Sequence, residues 1–151
     1  MTGNNESQFL QEPTPVDERY GVGDTSYRAA GEFAGIQKLV KSFYEFMDQL
    51  PEARTIRAMH AEDLSEIDDK LTHFLSYWLG GPRQLIEKYG PVNIPKAHML
   101  LAVGAEERDA WLMCMTRAAE LQPYKPAFRK YLLEQLAIPA ERIRQTSQGG
   151  K

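Results

Sequence analysis

His98 and Trp111 stand thirteen positions apart, and both are residue types that work at metal centres. A neutral imidazole is the commonest metal ligand among side chains, and an indole N–H donates a hydrogen bond without accepting one. His98 follows Pro95-Lys96-Ala97 and has Ile94, Met99, Leu100 and Leu101 around it, so its bland role is a packed or capping histidine. No Cys, His or carboxylate cluster lies near it in sequence to close a tetrahedral zinc site. A single protein nitrogen suffices only where another group fills the remaining coordination positions. A porphyrin does so with four nitrogens, leaving one axial place for the protein and one for a small ligand. If His98 binds a metal, haem is the economical group.

The other reactive side chains read differently. His60, in Ala58-Met59-His60-Ala61-Glu62, precedes the most strongly patterned helix of the chain. It is either an ordinary surface residue or a polar group at a cavity mouth, donating to a bound ligand or binding iron itself. His73 falls opposite the apolar stripe of its helix and is expected to face water. Tyr44 lies at the edge of an apolar face, where a phenol leans into a cavity with its hydroxyl available. Cys114 is the sole cysteine and lies on an apolar face. It reads as a small buried hydrophobe rather than a catalytic thiol.

The elements that must position these residues are helices. Phe33, Ile36, Val40, Phe43, Met47 and Leu50 recur at three- and four-residue spacing, predicting a helix over about 32–50 that Pro51 ends. A short helix over about 26–30 precedes it, and a helical turn from Ile56 to Met59 follows. Leu64, Ile67, Leu71, Phe74, Leu75 and Trp78 form one stripe over about 63–79, stopped by Gly80-Gly81-Pro82. Residues 83–97 carry a short helical piece near Arg83 to Lys88 and then Gly90-Pro91 and Pro95, too many breakers for a long helix. Further helices are predicted over about 105–121 and 124–137. With no hairpin signal and no repeat, the fold class is all-α. Residues 1–24 read as a flexible N-terminal extension, 25–138 as the folded domain and 139–151 as a fraying tail.

Composition bounds the partners. A chain of 151 residues is one domain, large enough to enclose a small cofactor. A net charge of −3 leaves no electrostatic footprint for nucleic acid. No apolar run approaches membrane-spanning length, and Met1 to Tyr20 lacks a signal-peptide core, so a cytoplasmic protein is expected.

Taken together, Phe43-Tyr44, Tyr77-Trp78-Leu79-Gly80-Gly81-Pro82, His98 and Glu107-Arg108-Asp109-Ala110-Trp111-Leu112 make the chain resemble the group II truncated haemoglobins over residues 26–138. The resemblance implies a two-over-two helical sandwich around haem b (iron protoporphyrin IX). It places the iron-binding proximal histidine on His98 and the ligand-stabilising tyrosine on Tyr44. The tryptophan that distinguishes the group falls on Trp111, and a corner position on His60. The distal-helix positions facing iron fall on Ile67 and Leu71, the pocket walls on Phe74 and Leu75, and a cation near a haem propionate on Lys70. The chain departs from the pattern at Ala30-Gly31, where a glycine pair is usual, and at Met99-Leu100-Leu101, where many members have Ala-Pro-Phe.

Ile67 offers no hydrogen bond to a ligand, so Tyr44, Trp111 and His60 are expected to supply the distal donors. Three donors favour slow release of O2 and point away from delivery, towards NO dioxygenation or scavenging of peroxide or reactive nitrogen species. The ligands in question are O2, NO, CO or peroxide, with sulfide at ferric haem a further one. An unidentified reductase is expected, and the chain acts as a monomer or homodimer. Two alternatives stand beside this reading. His60 or Tyr44 as a sixth iron ligand would make a six-coordinate gas sensor or electron-transfer protein. A cofactor-free helical interaction module would leave the histidines incidental.

Overall fold

The computed structural model describes residues 18–83, 87–89 and 103–146, and among these there is no strand. The described helices are α1 (Thr25–Ala29), α2 (Glu32–Gln49), a 3-10 turn (Pro51–Ala53), α3 (Arg54–Ala58), α4 (Ser65–Trp78), α5 (Ala105–Glu120) and α6 (Pro126–Thr146). Their order and type match the sequence expectation. α2 packs against α4 on one side and α5 on the other, and α5 packs against α6. Two helix pairs, α2 with α4 and α5 with α6, therefore meet across α2 and α5. No described helix is long and apolar enough to cross a membrane.

Local chemistry explains the boundaries. α4 begins two residues later than its stripe suggested because Asp63 acts outside the helix. Its Oδ1 accepts hydrogen bonds from the Ser65 backbone N–H at 2.9 Å and from Ser65 Oγ at 2.6 Å. At the other end Gly80 takes the left-handed conformation, with φ of 100°. Gly81 N–H then donates to the Ser76 carbonyl and Gly80 N–H to the Tyr77 carbonyl, the paired bonds of a Schellman closure. At α5, the Gly104 N–H donates to Glu107 Oε1 at 2.7 Å and ties down the first turn.

Ile36, Leu39, Val40 and Phe43 of α2, Leu75 of α4, Cys114, Met115 and Ala118 of α5 and Phe128 and Leu132 of α6 seal one core. Each of the buried Ile, Leu, Val, Phe and Met side chains stabilises the fold by ~1.5–3 kcal/mol relative to exposure.

Two boundaries differ from expectation. The last helix does not stop near residue 137 but continues to Thr146. Apolar periodicity weakens there, and charge takes over. Glu141 accepts from Arg108 of α5 at 2.5 Å and from Arg144 at 2.5 and 2.8 Å, and Ala140 is buried. Residues 18–24, assigned on composition to the extension, pack against α6. The Tyr20 ring meets Phe128 at 5.3 Å and Tyr131 at 5.4 Å, and Gly21 N–H donates to Ser26 Oγ.

Candidate functional site

The site is built where α2, α3 and α5 converge. On α2, adjacent residues face different ways: Phe43 points into the core at 0% exposure, and Tyr44 follows at its edge at 6%. Trp111 on α5 meets Phe43 edge-on, with ring centres 5.1 Å apart. His60, just past α3, meets Tyr44 edge-on at 5.9 Å. Phe43 and Tyr44 themselves stand 4.8 Å apart. Of the three residues expected to surround a ligand, Tyr44 and Trp111 are thus joined through one phenylalanine, and His60 joins them through Tyr44. Phe43 counted in the sequence as a stripe residue and as part of the Phe43-Tyr44 signature, without a role at the ligand. Its role as the common wall could have been suspected from its place beside Tyr44.

The donors are available. Burial, and secondarily the Asp68 carboxylate, push the Tyr44 phenol well above its usual range, so it stays protonated. Neither the Tyr44 hydroxyl nor the Trp111 indole N–H is hydrogen-bonded among the described residues, and no buried side-chain polar atom there lacks a partner. The hydroxyl and the indole N–H therefore open onto free volume instead of being stranded in the core. Asp68 escaped the sequence reading. It lies one residue past Ile67, half-buried, with its carboxyl raised mainly by burial and then by Asp69.

His60 is oriented by the helix that precedes it. Its Nδ1 lies 2.7 Å from the Ile56 carbonyl oxygen. The corner is fixed on the other side by Arg57, whose guanidinium donates to Asp48 and to the Ala61 and Glu62 carbonyls at 2.5, 3.0 and 3.0 Å.

On α4, Ile67, Leu71 and Phe74 are half-buried and pack on the core with one side, and Trp78 stacks on Phe74 at 6.3 Å. Leu75 is different: at 0% exposure it lies inside the core. Lys70 is exposed, paired with Glu66 at 3.0 Å, and its ammonium stands 5.6 Å from the Tyr89 ring centre. His73 does not face water as its helical wheel predicted. The Phe33 ring packs on it at 5.1 Å and Tyr89 at 5.7 Å, and its Nδ1 lies 2.8 Å from the Asp69 carbonyl oxygen. A wheel drawn for one helix cannot register neighbours brought from elsewhere. His98 lies outside the described residues.

The donor set suits haem. Half-buried hydrocarbon on α4 offers flat apolar surface, and the two uncommitted N–H and O–H donors sit on the neighbouring helices. A surface cavity of about 300 Å³ is also present, lined in part by Ser26, Trp78, Gly80 and Tyr131, but Tyr44, Trp111 and His60 do not line it.

A two-over-two helical sandwich with an aromatic-lined donor site is the architecture of a small globin. The family model for bacterial-like globins matches residues 25–144, and the chain belongs to that family. It is 30% identical over 117 residues to the group 2 truncated hemoglobin YjbI of Bacillus subtilis (strain 168), covering 78% of this chain and 86% of the relative. The solved group II 2-on-2 hemoglobin of the plant pathogen Agrobacterium tumefaciens is 36% identical with a TM-score of 0.69, covering 76% of this chain and 92% of that one. The truncated oxygen-avid haemoglobin of Bacillus subtilis is 29% identical with a TM-score of 0.71, covering 78% and 97%. These are group II truncated haemoglobins, and family membership implies that the chain binds haem and, at it, small gaseous ligands such as O2.

Proposed function

We propose that the chain holds haem b on His98 and binds O2 firmly, using it or peroxide and reactive nitrogen species in detoxifying redox chemistry rather than delivering O2. The observation that carries this reading is the pair of uncommitted donors, Tyr44 and Trp111, on either side of Phe43. Haem held there would supply an iron centre able to take a small ligand and exchange electrons with it. Everything else falls to the chain. Ile67, Leu71 and Phe74 present the hydrocarbon that excludes water and lowers the local dielectric. In such surroundings a donor aimed at developing negative charge acts more strongly than in water. Tyr44 offers its O–H and Trp111 its N–H. Lys70 stands at the exposed rim, where an ammonium would meet a propionate. A similar protein described as oxygen-avid lends the O2 reading support. The work is cytoplasmic and calls for a reductase.

Each donor bond is worth ~1 kcal/mol, about a fivefold effect on ligand release. Stopped-flow measurement of O2 dissociation from the haem-loaded protein tests the proposal. Tyr44→Phe and Trp111→Leu are each expected to speed release about fivefold, and the double variant more. An unchanged rate in the double variant would refute the reading. His98→Ala should abolish the axial histidine's optical signature in the same protein.

A further inference from the structure

We propose that the surface cavity of about 300 Å³ bounded by residues 21–26, the end of α4 and α6 is a second binding site, and that it takes a small uncharged phenol. Tyr44, Trp111 and His60 lie outside it, so it is independent of the roles given to them.

Four polar side chains converge on this cavity from three parts of the chain. They are Ser26 of α1, Trp78 of α4, and Tyr131 and Gln135 one turn apart on α6. Ser26 is 1% exposed, and its Oγ accepts from the Gly21 N–H at 2.8 Å, which leaves its own O–H to donate. Among the described residues, the Trp78 N–H, the Tyr131 hydroxyl and the Gln135 amide have no hydrogen-bond partner. Buried and half-buried polar groups are ordinarily spent on the fold, so four left over around one space suit a ligand. The backbone keeps that space clear. A Cβ on Gly23 would meet nothing within 4 Å, and one on Gly21 would stand 2.8 Å from the Tyr131 hydroxyl.

The lining decides what fits. No Asp, Glu, Lys or Arg lines the cavity among the described residues, so a charged ligand would lose hydration without gaining a counter-charge. A hydrocarbon would strand the polar groups. A sugar brings more hydroxyls than four side chains can pair, and each one left over costs a hydrogen bond to water. A phenol meets all three conditions. Its ring suits the aromatic surface of Trp78 and Tyr131, its oxygen can accept from the indole N–H, and its proton can go to the Gln135 amide oxygen.

Because Trp78 also stacks on Phe74, beside the face assigned to haem, the test is run with the ligand place at iron filled. The probe is p-cresol, added to the haem-loaded full chain in its ferrous CO form. Trp78 and Trp111 are the two tryptophans, so a nitrogen-15 spectrum shows two indole N–H signals, and Trp111→Leu assigns them. The Trp78 signal should shift with half-saturation at about 1 mM or below, the Trp111 signal staying in place. Tyr131→Phe keeps the ring packed on Tyr20 and Phe128 and removes only the hydroxyl. It and Gln135→Leu should each weaken binding about fivefold. Toluene, which lacks the hydroxyl, and benzoate, which is charged, should leave the Trp78 signal unmoved at the same concentration.

A Trp78 signal indifferent to p-cresol, or moved as far by toluene or benzoate, would overturn the proposal. So would binding unchanged in both variants, or an equal shift of both indole signals, which would put the phenol elsewhere. A shift with glucose and none with p-cresol would overturn it in favour of a sugar.

Discussion

Cys114 sits one helical turn beyond Trp111 at 0% exposure, and burial, then the Glu52 charge, push its thiol up to about 11. The thiolate is the nucleophile, so this sulfur is inert twice over, by access and by protonation. A thiol-specific disulfide reagent at neutral pH should leave the native protein unlabelled over the time in which it labels one equivalent in denaturant. Fast native labelling would show that α5 opens. Its sequence surroundings alone disclosed this role, as they disclosed Tyr44 at the margin of an apolar face. The tether of His60 to the α3 backbone and the cage around His73 were not legible. Both depend on a partner, the Ile56 carbonyl in one case and Phe33 and Tyr89 in the other, whose position only the folded chain decides.

At the scale of elements, α4 was readable because a continuous stripe, a flanking Asp63 and a closing Gly80-Gly81 all signal the same helix. The last nine residues of α6 were not, because they are held by ion pairs that cross to another helix. Arg108 and Arg144 beside Glu141 hold its carboxyl down to about 2. A depressed carboxylate stabilises the native state fully above its unfolded value near 4.5 and loses that contribution as pH falls towards 2. Protection of the Ile143–Thr146 amides, their exchange relative to its intrinsic rate at each pH, should therefore fall between those limits. Glu141→Gln should bring that loss of protection already at neutral pH and abolish its acid dependence. Protection that ignores both would mean that α6 is held by Ala140 and its apolar neighbours alone.

The whole molecule depends on a close backbone approach. Gly80, at φ of 100°, lies where any Cβ would collide with the Gly23 carbonyl oxygen and crowd Asp24. Gly80→Ala imposes both an unfavourable backbone conformation and that collision, for a loss of about 1–3 kcal/mol or more. Thermal unfolding should show a lower midpoint, with Tyr20 moved off Phe128 in the folded form. An unaltered midpoint would show that the segment at 21–24 yields at no cost.

That same segment sets an order on assembly. Glu18 pairs with Lys125 across 107 positions, the Tyr124 hydroxyl reaches the Ala30 carbonyl across 94, and Tyr20 lies on Tyr131. The beginning and the end of the described chain thus close on each other, contacts that fold late because their loop is longest. During synthesis α1 to α4 leave the ribosome long before α6 exists to receive Tyr20, and Tyr44 must wait for α5 to bring Trp111 beside Phe43. A nascent chain halted before Pro126 would carry the wall of the pocket without its clasp.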